Sequence, residues 1–143
     1  MKDDRNGINR DGLEELIALI PEMESYHGTW GEHDITSDGN TVYLGAYEFS
    51  DITGRVHSCI NGSGLICPFG WIDWQEEAER ICNDAELIAE IDLLTVRKLL
   101  TLHLRKERFC EGHFAAMCES GVILLILKRL KELYESGEIE MEP

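Results

Sequence analysis

The sequence has no long hydrophobic run. Its 143 residues contain no stretch of about 18 apolar residues, which is the length that a membrane-spanning helix needs. The opening segment, MKDDRNGINRDG, also lacks the apolar centre of a secretory signal peptide. We therefore expect a protein that does not cross a membrane and that resides in the cytoplasm.

Closely spaced cysteine pairs are missing as well. The cysteines lie far apart, at Cys59, Cys67, Cys82, Cys110 and Cys118. An odd number at wide spacing predicts free thiols rather than a disulfide framework. Cys110 and Cys118 flank His113, and these are side chains that zinc accepts, but the short Cys–Cys spacing of zinc sites is absent. We predict no metal and no cofactor.

Motifs that bind phosphates or carry a nucleophile are also absent. The chain has no GxGxxG fingerprint, no Walker loop and no GxSxG elbow. The segment NGSG at 61–64 is typical of a turn. No catalytic residue is assigned, and the motif content favours a protein that is not an enzyme without deciding the question.

Positive charge is scarce in the first two thirds of the chain. Residues 1–96 hold five basic and 20 acidic residues, whereas residues 97–131 hold eight basic and three acidic ones, and the net charge is −15. An acidic body repels nucleic acid but can attract a basic partner surface. The eight basic residues would give a modest nucleic-acid footprint if they formed one stripe. We favour a solvated face, because no aromatic residues are interleaved with them.

Apolar residues recur at helical spacing in several segments. The first predicted helix opens with a capping box of Asp11 and Glu14 and ends near Pro21. Further helices are predicted over 74–82, 84–90, 95–108, 111–120 and 122–136.

Two other segments favour strands. Turn signals flank residues 41–49 and 55–60, which are rich in β-branched and aromatic residues and predict two antiparallel strands. A third strand is an option at 32–36. The fold class is therefore α+β, with a mainly helical C-terminal half packed with a small antiparallel sheet from residues 30–62. The predicted boundaries are a single domain over 1–143 with flexible tails at 1–10 and 137–143.

Polar side chains cluster where the helix from Thr95 is expected to end. This polar corner, residues 103–113, contains the candidate ligand- or partner-binding residues His103, Arg105, Glu107, Arg108, Glu111 and His113. A carboxylate on an apolar helix face must be paired, and Arg108 is a suitable partner for Glu107 or Glu111. We favour a buried network that joins two helices. The alternative is a pocket that binds an anion or a peptide carboxylate, or that uses carboxylate and histidine for acid–base chemistry.

An aromatic segment precedes the acidic helix predicted at 74–82. Its sequence, LICPFGWIDW over residues 65–74, contains Trp71 and Trp74. We favour a loop that packs its aromatic side chains on the core. The alternative is an exposed ligand groove, which makes both tryptophans candidate binding residues.

The second half of the chain resembles a known family. Residues 97–133, RKLLTLHLRKERFCEGHFAAMCESGVILLILKRLKEL, are similar to the C-terminal signature of a bacterial family classed as domain of unknown function 6508. In that family RKERFCEGH-x-A, then ESG, then IL-x-RLKEL recur, after a GW-x-x-W stretch that Gly70, Trp71 and Trp74 match. The resemblance is specific over 70–133 and weak over 1–64. It implies a fold and a bacterial or mobile-element setting, but no activity.

These features leave three functional hypotheses. We favour a small acidic cytoplasmic module, of bacterial or phage origin, that binds or regulates another protein through the polar corner or the aromatic segment. The second hypothesis is a small-ligand-binding protein or enzyme with a His/Glu/Arg pocket at the polar corner. The third is a nucleic-acid-associated regulator that uses the basic residues, and it is the least favoured. Neither the identity of a partner nor the oligomeric state follows from the sequence.

Overall fold

The computed structural model describes residues 7–139 as a helical body with one two-stranded sheet. The helices are α1 (Arg10–Ala18), α2 (Ile20–Ser25), α3 (Asp51–Gly62), α4 (Gln75–Cys82), α5 (Ala85–Ile88), α6 (Leu93–Glu107), α7 (His113–Glu119) and α8 (Val122–Glu135). The strands are β1 (Gly31–Ser37) and β2 (Val42–Phe49), and a 3₁₀ turn covers Trp71–Trp74. The predicted α+β class with a mainly helical second half is confirmed. Between residues 7 and 139, no helix combines the length and apolarity that crossing a bilayer requires.

The first helix is capped by Asn9 and not by Asp11. The backbone N–H of Gly12 donates to Oδ1 of Asn9 at 2.9 Å. The predicted capping box of Asp11 and Glu14 is therefore wrong, because the extended backbone of Asn9 already places a side-chain oxygen at the free N–H groups of the helix start. Helix α1 does end before Pro21, and this proline then lies in the first turn of α2, where its missing N–H is not needed.

Residues 55–60, predicted as a strand, belong to helix α3. The Ser50 side chain caps the start of this helix. Ile52, Val56 and Ile60 lie four residues apart and are buried on one helix face. The strand prediction was wrong because it rested on β-branched residues, whose preference for strands gives way when a helical face can be buried.

The sheet is one antiparallel hairpin. The optional strand at 32–36 is present as β1, and its ladder with β2 runs from the pair Gly31–Phe49 to the pair Ser37–Val42. The sheet therefore occupies residues 31–49 and not the whole predicted range. A bulge interrupts the middle of the ladder.

One hydrophobic cluster joins all eight helices. The buried faces of α6 and α8 form its centre, and the fully buried ring of Phe114 adds α7 to it. Both ends of the described chain also contact the body. The Asn9 N–H donates to the Ser63 carbonyl at 2.7 Å, and Ile139 is buried. The remaining residues of the predicted tails, 1–6 and 140–143, lie outside the described part of the chain.

Arg97 is a charged residue within this core, with only 5% of its surface exposed. Its Nε donates to the carbonyl of Leu65 at 3.0 Å, and its Nη2 donates to the carbonyl of Gly64 at 3.2 Å. The guanidinium thereby ties the segment after α3 to helix α6. Arg97 was expected on a solvated basic face, and its burial removes it from that face.

We expect the substitution Arg97→Met to lower the free energy of unfolding by about 2–3 kcal/mol, because two main-chain carbonyls lose a charged donor. Denaturant unfolding followed by circular dichroism measures this difference. Arg108→Met removes an exposed arginine and is the matched control, with an expected change below about 0.5 kcal/mol. Equal effects of the two substitutions would contradict a structural role for Arg97.

Candidate functional site

The polar corner comprises the end of α6, the turn that follows it and the first residue of α7. After α6 ends at Glu107, the backbone N–H of Cys110 donates to the Lys106 carbonyl at 2.8 Å. Gly112 has a φ of +93°, a left-handed conformation that favours glycine. A Cβ atom at Gly112 would also lie 3.2 Å from Cε2 of Tyr47. The absence of a side chain at this position lets β2 approach the end of α6.

Glu107 holds the start of α7. Its Oε2 accepts a hydrogen bond from the Gly112 N–H at 2.9 Å, and its Oε1 accepts one from the Phe114 N–H at 2.8 Å. The first N–H groups of a helix have no partner within that helix, and a carboxylate is a favourable partner for them. Both oxygens of Glu107 are therefore used in a structural contact between two helices.

The substitution Glu107→Gln is expected to lower the free energy of unfolding by about 1–3 kcal/mol, since an amide keeps only one acceptor oxygen and loses the charge. Glu111→Gln changes an exposed carboxylate four residues away and is the control. Thermal and denaturant unfolding of both variants give the comparison. A loss that is no larger for Glu107→Gln than for Glu111→Gln would show that the cap contributes little.

His103 and His113 form a hydrogen-bonded pair below the same turn. Nδ1 of His103 lies 2.9 Å from Nε2 of His113, and Nε2 of His103 lies 3.5 Å from Sγ of Cys82. Burial, with smaller contributions from His113 and Lys106, lowers the pKa of His103 to about 3. Burial likewise lowers the pKa of His113 and raises that of Cys82 to about 11. The cluster is therefore uncharged at neutral pH.

This pair makes stability depend on pH. The pKa of His103 is lower in the folded protein than its ordinary value of 6.5, so below about pH 6.5 the unfolded chain binds more protons and stability falls. Between pH 7 and pH 5, we expect the wild type to lose about 1–2 kcal/mol more unfolding free energy than His103→Asn. His27→Asn, which changes an exposed histidine, should keep the wild-type loss. Urea unfolding at both pH values tests this, and identical losses in all three proteins would refute it.

A cavity of about 290 Å³ opens between the hairpin and the end of α6. We call it the arginine cavity, and its lining residues are Tyr47, Phe49, His57, Asn61, Leu104, Arg105, Glu107, Arg108 and Glu111. Burial lowers the pKa of His57, so its imidazole adds no positive charge at neutral pH. The cavity thus combines aromatic walls with two guanidinium groups and two carboxylates.

The two arginines of this cavity form no ion pair within the described part of the chain. Arg105 and Arg108 lie three residues apart near the end of α6, and among residues 7–139 no carboxylate forms an ion pair with either guanidinium. The clamp of Arg108 on Glu107 or Glu111 that the sequence allowed does not form. Both carboxylate oxygens of Glu107 accept hydrogen bonds from the start of α7. Oε1 of Glu111 lies 3.8 Å from Nδ1 of His33 on the hairpin.

The two candidate tryptophans lie outside the arginine cavity. Trp74 stacks edge to face with Phe69, and Nζ of Lys98 lies 4.8 Å from the centre of the Trp74 ring. The ring centre of Trp71 is 6.0 Å from that of Phe109. Both tryptophans are half-buried and pack against the hydrophobic cluster.

The basic residues do not form one stripe. Arg97 is buried, Lys98 covers aromatic rings, Lys128 pairs with Glu24, and Arg129 donates to the Ile91 carbonyl. The basic side chains that remain together are those at the end of α6. A continuous surface that follows a nucleic-acid backbone is therefore not built from these eight residues.

Five cavity residues were not among the sequence candidates, namely Tyr47, Phe49, His57, Asn61 and Leu104. The strand predicted at 55–60 would have placed His57 in the sheet, whereas α3 presents His57 and Asn61 one helical turn apart, with Nδ2 of Asn61 3.4 Å from Nδ1 of His57. The spacing of four residues between His57 and Asn61 was the available sequence signal. It places the two side chains on one face only if the segment is helical.

The zinc-type side chains of the polar corner do not converge. Cys110 is exposed, Cys118 is buried, and Nε2 of His113 is engaged by His103. Within residues 7–139, no three His, Cys, Asp or Glu side chains are grouped so that they would hold a metal ion.

The fold and the site define a small α+β protein with an aromatic-walled cavity, lined by two arginines and two glutamates, between a β-hairpin and a helical body. Residues 8–136 match the family described as Family of unknown function (DUF6508), and the chain belongs to this family. The match confirms the resemblance seen at 97–133 and extends it over the N-terminal part. No curated protein and no solved structure matches the chain significantly. A function must therefore be argued from the site itself.

Proposed function

We propose that the protein is an interaction module that binds a carboxylate-bearing segment of a partner protein in the arginine cavity. The observation that carries this proposal is a pair of neighbouring guanidinium groups, Arg105 and Arg108, that line the cavity and form no ion pair with any carboxylate of residues 7–139. The two carboxylates that share the cavity are engaged elsewhere, since Glu107 accepts two main-chain hydrogen bonds and Glu111 lies beside His33, so an external anion is the suitable partner for the two arginines. Guanidinium groups bind carboxylates through two parallel hydrogen bonds, which provides orientation as well as charge.

Two features favour a peptide carboxylate over a nucleic acid. Four of the other six basic residues of this half are engaged elsewhere, so few cations remain to follow a phosphate backbone. The walls formed by Tyr47 and Phe49 also suit the apolar atoms next to a carboxylate in a peptide. Binding to another protein thus agrees best with the charge and the shape of the cavity.

The small-ligand hypothesis is the second candidate. An acid–base enzyme is not supported, since His103 is buried and both oxygens of Glu107 accept main-chain hydrogen bonds. A cavity of about 290 Å³ is nevertheless large enough for a small organic anion. The experiment below therefore separates a free anion from a peptide.

We also propose that the protein resides in the cytoplasm. All five cysteines are unpaired in the structure, which agrees with a reducing compartment. A bacterial or phage origin is implied by the family resemblance and stays a prediction.

The test is an NMR titration of backbone amides with two blocked five-residue peptides that differ only in a central glutamate or glutamine. The glutamate peptide is expected to shift the amides of Tyr47, Arg105 and Arg108 and to bind at least about tenfold more tightly than the glutamine peptide. Free acetate is the third probe. Acetate binding as tightly as the glutamate peptide would favour the small-ligand function.

The matched control has the same net charge as the test variant. The double variant Arg105→Gln with Arg108→Gln should lose binding of the glutamate peptide, whereas Arg80→Gln with Lys131→Gln removes two positive charges outside the cavity and should retain it. Equal binding by the two double variants, or equal binding of the two peptides, would overturn the proposal.

A further inference from the structure

The hairpin has two chemically different faces. Directly opposed residues of a ladder point to the same side, so the pairs Ile35–Leu44 and Ser37–Val42 share a face. The residues between them, including the pair Thr36–Tyr43, point to the other side. The bulge between the two halves of the ladder keeps the pair His33–Tyr47 on the first face. This apolar face therefore contains His33, Ile35, Val42, Leu44, Tyr47 and Phe49.

The opposite face is acidic. Glu32 and Glu48 are directly opposed there, and Asp34 follows on the same side. In a two-stranded hairpin with one apolar and one charged face, the apolar face is the one that a packing partner covers. The orientation of the hairpin is thus set by its own sequence, with the acidic side chains directed to solvent.

The body covers only the near half of the apolar face. Tyr47 and Phe49 line the arginine cavity, and Phe49 lies 6.0 Å from Phe114 of the core between ring centres. The far half is open, since Ile35 is 69% exposed, Val42 66% and Leu44 68%. A cluster of three exposed aliphatic side chains on one sheet face is typical of an interaction surface.

The open face continues directly into the arginine cavity. Leu44 and Tyr47 lie three residues apart on β2, which is on the order of 10 Å along a strand. The full distance from Val42 to Phe49 is roughly 23 Å, the length of about seven extended residues. A linear segment of that length would reach from the exposed aliphatic residues to Arg105 and Arg108.

We infer that the partner segment carries one carboxylate and, within about seven residues of it, two apolar side chains on the same side of the chain. This inference rests on the proposed function, because the carboxylate binds in the arginine cavity. The apolar side chains then cover Ile35, Val42 and Leu44. A strand-like segment with alternating apolar residues meets these requirements, because its alternate side chains point to one side.

A second copy of this chain is the less favourable occupant. Each copy carries a net charge of −15, and apposing two hairpins would bring Glu32, Asp34 and Glu48 of both copies close together. The two arginines of the cavity would also remain without a carboxylate in such an arrangement unless an acidic face turned towards them. Charge complementarity therefore favours a different protein.

The experiment begins with a phage-displayed library of random 12-residue segments selected on the intact protein. We expect enrichment of an acidic residue accompanied by apolar residues at alternating positions. One enriched segment is then synthesised with a fluorescent label, and its affinity is measured by anisotropy. Failure to enrich such a pattern would overturn the inference.

Two double variants test the role of the apolar face. Ile35→Thr with Leu44→Thr replaces the aliphatic pair by residues that keep the preference for strands, and should weaken binding of the labelled segment about tenfold or more. Thr36→Ser with Tyr43→Thr changes the neighbouring pair on the opposite face and should alter affinity less than about twofold. Circular dichroism confirms that both variants fold. Equal affinities of the two variants would overturn the inference.

The affinities of these variants also distinguish a failure of this inference from a failure of the proposed function. If Arg105→Gln with Arg108→Gln abolishes binding while the Ile35 and Leu44 variant binds normally, the carboxylate site stands and the apolar docking fails. If both arginines are dispensable, the proposed function and the inference both fail. The oligomeric state of the unliganded protein is measured by sedimentation. A dimer that dissociates in the Ile35→Thr with Leu44→Thr variant would show that a second copy covers this face and would overturn the inference.

Discussion

The contact between the Glu107 carboxylate and the start of α7 is the constraint on which the candidate site depends. Two main-chain N–H groups, from Gly112 and Phe114, share one carboxylate at 2.9 and 2.8 Å. Such charge-assisted hydrogen bonds each contribute about 1.5–3 kcal/mol when they are well desolvated. The contact fixes the angle between α6 and α7 and directs Phe114 into the core.

The same turn positions the hairpin. Gly112 lies against the Tyr47 ring, and Phe49 packs near Phe114 and His57. An isolated two-stranded hairpin is only marginally stable in water, so these contacts at its base are what hold it on the body. They leave the far half of the apolar face uncovered. The protein therefore places an exposed aliphatic surface next to the cavity that contains Arg105 and Arg108.

Helices were predictable where burial and local preference agree. The stripe of α8 and the apolar positions of α6 identify their buried faces without any tertiary information, because a period of 3.6 residues is a property of the helix itself. The prediction for residues 55–60 was wrong because local preference and burial disagree there. The β-branched residues of this segment suit a strand, but Val56 and Ile60 complete a helical face whose burial against the core outweighs that preference. The same error concealed His57 and Asn61 as cavity residues.

The sequence by itself determined the α+β class, the helical second half, the family, and the concentration of polar groups at residues 103–113. Each of these follows from residue types and their spacing along the chain. Only the tertiary structure decided which of these polar residues are buried, which cap a helix and which line a cavity. His103 and His113 turn inward to a buried pair, Glu107 caps a helix, and Arg105 and Arg108 face a cavity with residues from β2 and α3. Spacing reports which side of a helix a residue occupies, but which distant element covers that side depends on the packing of the whole chain.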